Sequence, residues 1–197
     1  MTAIANPVGW ISPEEYFQGE RLSDIRHEYV DGYVYAMAGA SDDHNRIVGS
    51  IHGELRERLR GKRREPFMTD MKVKMPPTFA DVYYDPDVLV VCDPNDNAKY
   101  FRERPSIIFE VISPDTGPTD HREKLLAYRQ IPSIQVYALV EQDRMKVTVL
   151  RAANPGWTSE VIEGPQSILK LPTIGVEIPL ERIYERTAAA ISMRAPA

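Results

Sequence analysis

Asp85-Pro86-Asp87-Val88-Leu89-Val90-Val91 and, further on, Ile107-Ile108-Phe109-Glu110-Val111-Ile112-Ser113 are the stretches that decide how this chain is read. Each is a short apolar strand with one carboxylate set into it. Carboxylates are almost never fully buried unless their charge is compensated. If Asp87 and Glu110 lie about 4 Å apart at an effective dielectric near 20, they repel by roughly 4 kcal/mol. A counterion, a shared proton or a lysine must offset that repulsion. A hard cation such as Mg²⁺, held by one or two carboxylates together with water and a substrate phosphate, is the usual solution. The plain alternative is that one or both acids lie at strand ends in solvent.

Working outward, the chain alternates helical and extended patterns. Ser12-Pro13-Glu14-Glu15 reads as a helix start, with a capping serine, proline at the first helical position and acids in the first turn. His27 to Met37 reads as a β-hairpin turning at Asp31-Gly32, a pair suited to positive φ at both central positions. Ser41 caps a helix to about Arg60, with Ile47, Val48, Ile51, Leu55 and Leu59 as its buried stripe and Gly61 as its stop. Phe67 to Met75 alternates Met71, Val73 and Met75 against Asp70, Lys72 and Lys74, the pattern of one half-buried strand, closed by Pro76-Pro77-Thr78. After the two acidic strands and their polar connection (residues 93–105), the loop Ser113 to Pro118 leads into a helix through about Gln130. Asp120 and Glu123 have the spacing of a capping box at its start. Ile134 to Val140 and Met145 to Leu150 read as strands, with shorter strands at Val161-Ile162 and at Ile168 to Leu171. A helical turn over Pro179 to Tyr184 ends the pattern. Helices and strands intermix, so the class is α/β or mixed α+β.

At 197 residues and 43% hydrophobic content the chain is long enough for one domain with a sizeable core. We expect a single domain over residues 1–197, its core spanning about 12–185, with residues 1–11 and 188–197 as flexible tails. The lone Cys92 excludes a disulfide scaffold and points to a reducing, cytoplasmic setting, where it serves as a small buried hydrophobe. There is no secretory signal pattern and no apolar run approaching the ~20 residues of a membrane span. A net charge of −5 argues against a general nucleic-acid coat, while leaving room for a local basic face.

The ordered set Glu28-Tyr29-Val30-Asp31-Gly32, Ser41 with His44, Pro86-Asp87-Val88-Leu89-Val90-Val91, Glu110-Val111-Ile112-Ser113-Pro114, Asp120 through Lys124, and Tyr128 resembles the Uma family of restriction-type endonucleases, within the PD-(D/E)XK nuclease superfamily. The resemblance covers roughly residues 12–150. It implies a restriction-endonuclease-like core, a central mixed β-sheet flanked by helices, here with an N-terminal hairpin and extra C-terminal strands. It also implies Mg²⁺-dependent hydrolysis of phosphodiester bonds in DNA, with Mn²⁺ as a substitute ion. Asp87, Glu110 and the backbone carbonyl of Val111 would be metal ligands, and a homodimer would be the working form. The superfamily pattern places a lysine two residues after the second acid, where this chain has Ile112. Lys124 fits the place to which that lysine has moved, and would steer the attacking water or stabilise the phosphoryl group. A helix ion pair with Asp120 is its alternative.

Other candidates carry two readings each. Glu28 is either an acid beside the site or a surface cross-strand charge. His44 is either a core histidine in line with Val48 and Ile51 or a proton shuttle or phosphate contact. His52 reads as structural, and His27 and His121 as surface residues. Arg56, Arg58, Arg60, Lys62, Arg63 and Arg64 read as a solvated helix end, paired with Glu54 and Glu57, before they read as a phosphate track. Tyr83 and Tyr84 are either core residues or base-stacking rings. Two rival functions stay open: a catalytically idle nuclease-fold module that binds DNA or protein, and a metal-free acid/base pair of the glycosidase kind.

Overall fold

The computed structural model describes residues 9–37, 39–76, 81–113 and 118–194, and the side chains of 118–121 and 193–194 lie outside that description. Thirteen strands and five α-helices follow one another among these residues. Helix α1 (Pro13–Glu20) opens on the expected box, in which Ser12 caps Glu15 and Glu15 caps Ser12 in return. Strands β1 (His27–Val30) and β2 (Tyr33–Ala36) form the hairpin, and φ is +50° at Asp31 and +88° at Gly32. A side chain on Gly32 would collide with the Trp10 ring, so this glycine serves close approach as well as turn geometry. Helix α2 (Asp42–Arg58) starts at the Ser41 cap and buries Ile47, Val48, Ile51 and Leu55, with Leu59 just beyond it.

Next come β3 (Glu65–Met68), β4 (Lys72–Lys74), β5 (Val82–Tyr84), β6 (Val88–Val91), β7 (Phe101–Arg102) and β8 (Pro105–Ile112). Helix α3 (Pro118–Tyr128) leads to β9 (Val136–Glu141), β10 (Lys146–Ala152), β11 (Trp157–Glu163) and β12 (Ile168–Leu171). A 3₁₀ turn (Pro172–Ile174), β13 (Val176–Pro179), α4 (Leu180–Ile183) and α5 (Ala188–Arg194) complete the order.

The strands make a six-stranded sheet, β11-β10-β9-β8-β6-β3, a five-stranded sheet, β2-β1-β5-β4-β7, and the hairpin β12-β13. β8–β9 and β4–β7 are parallel and the other pairs antiparallel, so both larger sheets are mixed. One core joins α2 and α4 to the Val88, Val90, Ile107 and Phe109 face of the six-stranded sheet. A second fills the space between the opposite face, α3 and the five-stranded sheet through Leu89, Ile108, Tyr128, Tyr137, Tyr84 and Val73. A third packs Tyr16 of α1 against Tyr29 and Tyr83 on the far side of the five-stranded sheet.

Three expectations are corrected. The strand read over Phe67 to Met75 is two strands in different sheets, because Thr69 and Asp70 both take positive φ and turn the chain between them. Lys72 is accordingly buried, not on a solvent face. The connection at 93–105 contains β7, and β5 and β13 also escape the apolar pattern because each is only three or four residues long. Residues 188–194, expected within a flexible tail, form α5, and Ala189 and Ala190 are buried against the first core. Asp120 does not open α3, which already runs from Pro118, so the capping-box reading at Asp120 is also corrected; the loop at 114–117 falls outside the described residues.

Candidate active site

β6 and β8 pair with Val88 opposite Phe109 and Leu89 opposite Ile108. Continuing that register by one residue sets Asp87 across from Glu110 at the end of these two adjacent strands. Along β8 the apolar side chains of Ile107, Phe109 and Val111 face α2, so strand alternation turns Glu110 to the α3 side. Asp87 Oδ2 accepts the Val111 N–H at 2.7 Å, and the Asp87 carbonyl accepts the Thr69 N–H at 3.2 Å. The first bond locks the acid to the strand that carries the other one, and the second ties it to the end of β3.

Two helices deliver the remaining groups. The first turn of α2 places His44 Nε2 3.2 Å from Asp87 Oδ1. An imidazole that carries its proton on Nε2 donates it to that oxygen, and Ser41 anchors the turn by accepting the His44 N–H. From α3, Lys124 Nζ reaches Glu28 Oε1 at 2.8 Å and Glu110 Oε1 at 3.9 Å, and stands 5.7 Å from the centre of the Tyr84 ring. Glu28 Oε1 also accepts the Asp85 N–H at 3.2 Å, which ties β1 to the strand leading into Asp87. Tyr128, one helical turn after Lys124, donates to Glu110 Oε1 at 3.3 Å. Burial first, and the Glu110 charge second, push the Tyr128 phenol well above its usual range, so it stays a donor.

Glu28, His44, Asp87, Glu110 and Lys124 therefore converge from β1, α2, the residue before β6, β8 and α3. Glu110 and Lys124 are buried, and the side chains of Glu28, Asp87 and His44 are 14%, 12% and 21% exposed. Among the described residues, these contacts bring three carboxylates to one ammonium and one imidazole. Asp87, Glu110 and a Val111 carbonyl are hard oxygen donors, the kind that suits Mg²⁺. Among the described residues no three His, Cys, Asp or Glu side chains form a ready metal cage. A Mg²⁺ ion does not need one, since it keeps several waters and takes one or two carboxylates.

The family model described as "Putative restriction endonuclease" (Uma2) matches residues 13–181. The chain belongs to the Uma2 family. Among its relatives, the uncharacterized protein slr1290 of Synechocystis sp. is 32% identical over 183 residues, covering 92% of this chain and 95% of the relative. A second Synechocystis protein, sll1609, is 30% identical over 135 residues, covering 67% and 75%. A crystal structure titled as a putative nuclease belonging to DUF820, from Anabaena variabilis, superposes with a TM-score of 0.66. It covers 82% of this chain and 91% of its own at 17% identity, so it shows the fold. The restriction-endonuclease-like core read from the sequence is thus the observed one.

Within this Uma2 fold several single-residue readings change. Tyr83 and Tyr84 are buried, at 4% and 9% exposure, and cannot stack on bases. His27 is not a surface residue: its Nδ1 lies 2.9 Å from Glu20 Oε2. His52 is structural as expected, and burial lowers its pKa below the ordinary histidine value. In the basic run, Arg58 pairs with Glu54 and donates to the Glu177 carbonyl, and Arg64 donates to the Ile174 carbonyl. These two cations hold α2 to the C-terminal hairpin. Cys92 is half-buried against the first core. Among the described residues no helix is long and apolar enough to cross a membrane.

A second ionic group was not foreseen. On the opposite face of the five-stranded sheet, Lys72 Nζ donates to Glu20 Oε1 at 3.0 Å, to the His27 carbonyl at 3.0 Å and to Asp85 Oδ2 at 3.2 Å. The signal that could have found it is the adjacency of His27 to Glu28 and of Asp85 to Tyr84, since strand neighbours point to opposite faces.

Proposed function

We propose that this protein is a magnesium-dependent endonuclease that hydrolyses phosphodiester bonds in DNA. The observation that carries the reading is the reach of Lys124: a lysine from α3 stands among the same acids that a lysine two residues after Glu110 would have faced. Asp87, Glu110 and the Val111 carbonyl would hold the ion, which when bound polarises a phosphoryl oxygen and lowers the pKa of its water. The chain's own residues then have separate tasks. Glu28 holds the Lys124 ammonium in place, and Lys124 stabilises charge developing on the phosphoryl oxygens or aligns the attacking water. Tyr128 fixes the Glu110 carboxylate. The Val111 N–H and His44 fix Asp87, and His44 is placed to relay a proton. A homodimer, as in other restriction-type enzymes, is the assembly we propose.

The test is nicking of supercoiled plasmid in Mg²⁺, Mn²⁺ or EDTA by the wild type, Asp87→Ala and Lys124→Ala. Ion-dependent nicking by the wild type and its loss in both variants is the expected result. Equal nicking by all three proteins would remove the proposal.

A further inference from the structure

The groups described so far account for the phosphate and leave the base without a contact. The register of the hairpin supplies one. β1 and β2 pair with Glu28 opposite Tyr35 and Val30 opposite Tyr33. Directly opposed residues of an antiparallel pair project from the same face, with Cβ atoms about 4.5–5.5 Å apart. Tyr35 therefore stands beside the carboxylate that holds Lys124, on the side of the sheet that carries the candidate site. The alternate residue, Tyr29, points the other way into the cluster with Tyr16 and Tyr83.

Burial separates these two tyrosines from other aromatics near the site. Tyr84 and Tyr128 are buried in the second core, whereas Tyr33 and Tyr35 are 44% and 56% exposed on the outermost strand of the sheet. Neither ring packs against another aromatic ring among the described residues. Residues two apart on a strand are separated by about 6.8 Å. Stacked bases in one strand of a duplex rise by about 3.4 Å. Two rings at the wider spacing suit bases drawn apart along an extended strand, not bases still stacked in a duplex.

We propose that Tyr35, continued by Tyr33, is a stacking platform for unpaired bases next to the phosphate held at Lys124, so that the preferred substrate is single-stranded DNA. The proposal rests on the nuclease reading for its phosphate position. Stacking on aromatic faces tolerates any base, so it sets strand form and not sequence.

The test measures binding apart from cleavage. Fluorescence anisotropy in Ca²⁺ buffer compares a labelled oligo-dT strand, a DNA duplex of equal length and an oligo-rU strand on wild type, Tyr35→Ala, Tyr35→Phe and Tyr33→Ala/Tyr35→Ala. The wild type is expected to favour the single DNA strand. Tyr35→Ala is expected to weaken that binding about ten-fold, the double variant further, and Tyr35→Phe less than about two-fold, since it keeps the ring. Duplex affinity stays unchanged. A 2-aminopurine base in the single strand is quenched by the wild type and Tyr35→Phe and not by Tyr35→Ala. Unchanged single-strand affinity in Tyr35→Ala, an equal loss on duplex, tighter binding of oligo-rU, or no nucleic-acid binding by the wild type would each overturn the proposal. So would a wild-type dimer that Tyr35→Ala dissociates, since the edge strand would then serve a second copy. Ring-dependent single-strand binding without Asp87-dependent nicking would instead retain the platform and remove the nuclease reading.

Discussion

The two faces of the five-stranded sheet each carry an ionic group, and the two are built on opposite terms. On the α1 face, Lys72 finds three acceptors for its three protons, the ring of Tyr16 lies 5.5 Å from its ammonium, and Lys72 and Asp85 are almost fully buried. On the α3 face, among the described residues, Glu28 and Glu110 meet the Lys124 ammonium and Asp87 meets the His44 imidazole. A cleft of about 340 Å³ borders Glu20 and Lys72, but those charges already satisfy each other. A closed set of buried charges holds structure together. The α3-face group instead offers hard carboxylate oxygens whose Glu28 and Asp87 side chains keep partial access to water, which suits a cation and a substrate. His27 and Glu28, adjacent in one strand, divide between the two groups, and Asp85 joins them: its side chain serves the first and its N–H the second.

The sharpest way to break the comparison is to open the closed group. Lys72→Met leaves Glu20 and Asp85 without their shared cation, and removing one partner of a buried ion pair costs about 3–5 kcal/mol. Urea denaturation is expected to show a loss of that size, with the double variant Lys72→Met/Asp85→Leu recovering most of it. A Lys72→Met protein as stable as the wild type would mean that the α1 group is not structural. On the other face, Lys124→Met is expected to lower nicking about 100-fold, the scale of losing one group that stabilises developing charge. Its stability is expected to fall less than that of Lys72→Met, since its nearest partner among the described residues, Glu28, keeps partial access to water whereas Asp85 is fully enclosed.

A divalent ion gives a third contrast. An ion that binds only the folded state at about 10–100 times its dissociation constant stabilises by roughly 1.4–2.7 kcal/mol. Mg²⁺ or Ca²⁺ is expected to raise the unfolding midpoint of the wild type by that increment, to raise Lys72→Met equally, and to leave Asp87→Ala unmoved. An increment that survives in Asp87→Ala would place the ion elsewhere.

How much of this was legible in the sequence follows from the same division. The helices were readable because their signals are local: the Ser12 and Ser41 caps and the stripe from Ile47 to Leu59. The acidic strands were readable because β6 and β8 are buried on both sides and so are apolar almost throughout, which makes Asp87 and Glu110 conspicuous. The positions of Lys124, Glu28 and His44 were open to two readings, because only the packing of α3 and the hairpin brings them to those acids. The Lys72 group left only a faint trace, the adjacency of His27 to Glu28 and of Asp85 to Tyr84. Its members come from α1, β1, β4 and the residue after β5, and the alternation of Lys72 and Lys74 with apolar neighbours is what a solvent-facing strand also shows. The turn at Thr69-Asp70 hid the change of sheet, since neither residue is one that usually announces positive φ as glycine does.

The smallest expected effect is in pH dependence, and its sign separates two acids of the closed group. Burial raises the Asp85 pKa, with Lys72 opposing, and among the described residues Asp85 Oδ1 has no hydrogen-bond partner. For Glu20, burial alone would raise the pKa, but the His27 N–H, Lys72 and the His27 ring outweigh it and leave the pKa lowered. A raised acid binds its proton more readily folded than unfolded, so its contribution is full below the ordinary aspartate value and is lost as pH rises through the folded one. A lowered acid contributes fully above the ordinary glutamate value and loses that contribution as pH falls through the folded one. Asp85→Asn is therefore expected to remove a decline in stability with rising pH above about 3.9, the ordinary aspartate pKa. Glu20→Gln is expected to remove a decline with falling pH below about 4.3, the ordinary glutamate pKa. Urea midpoints measured from pH 3 to 7 check both, and slopes of the same sign in the two difference curves would contradict the assignment of Asp85 as the strained acid and Glu20 as the satisfied one.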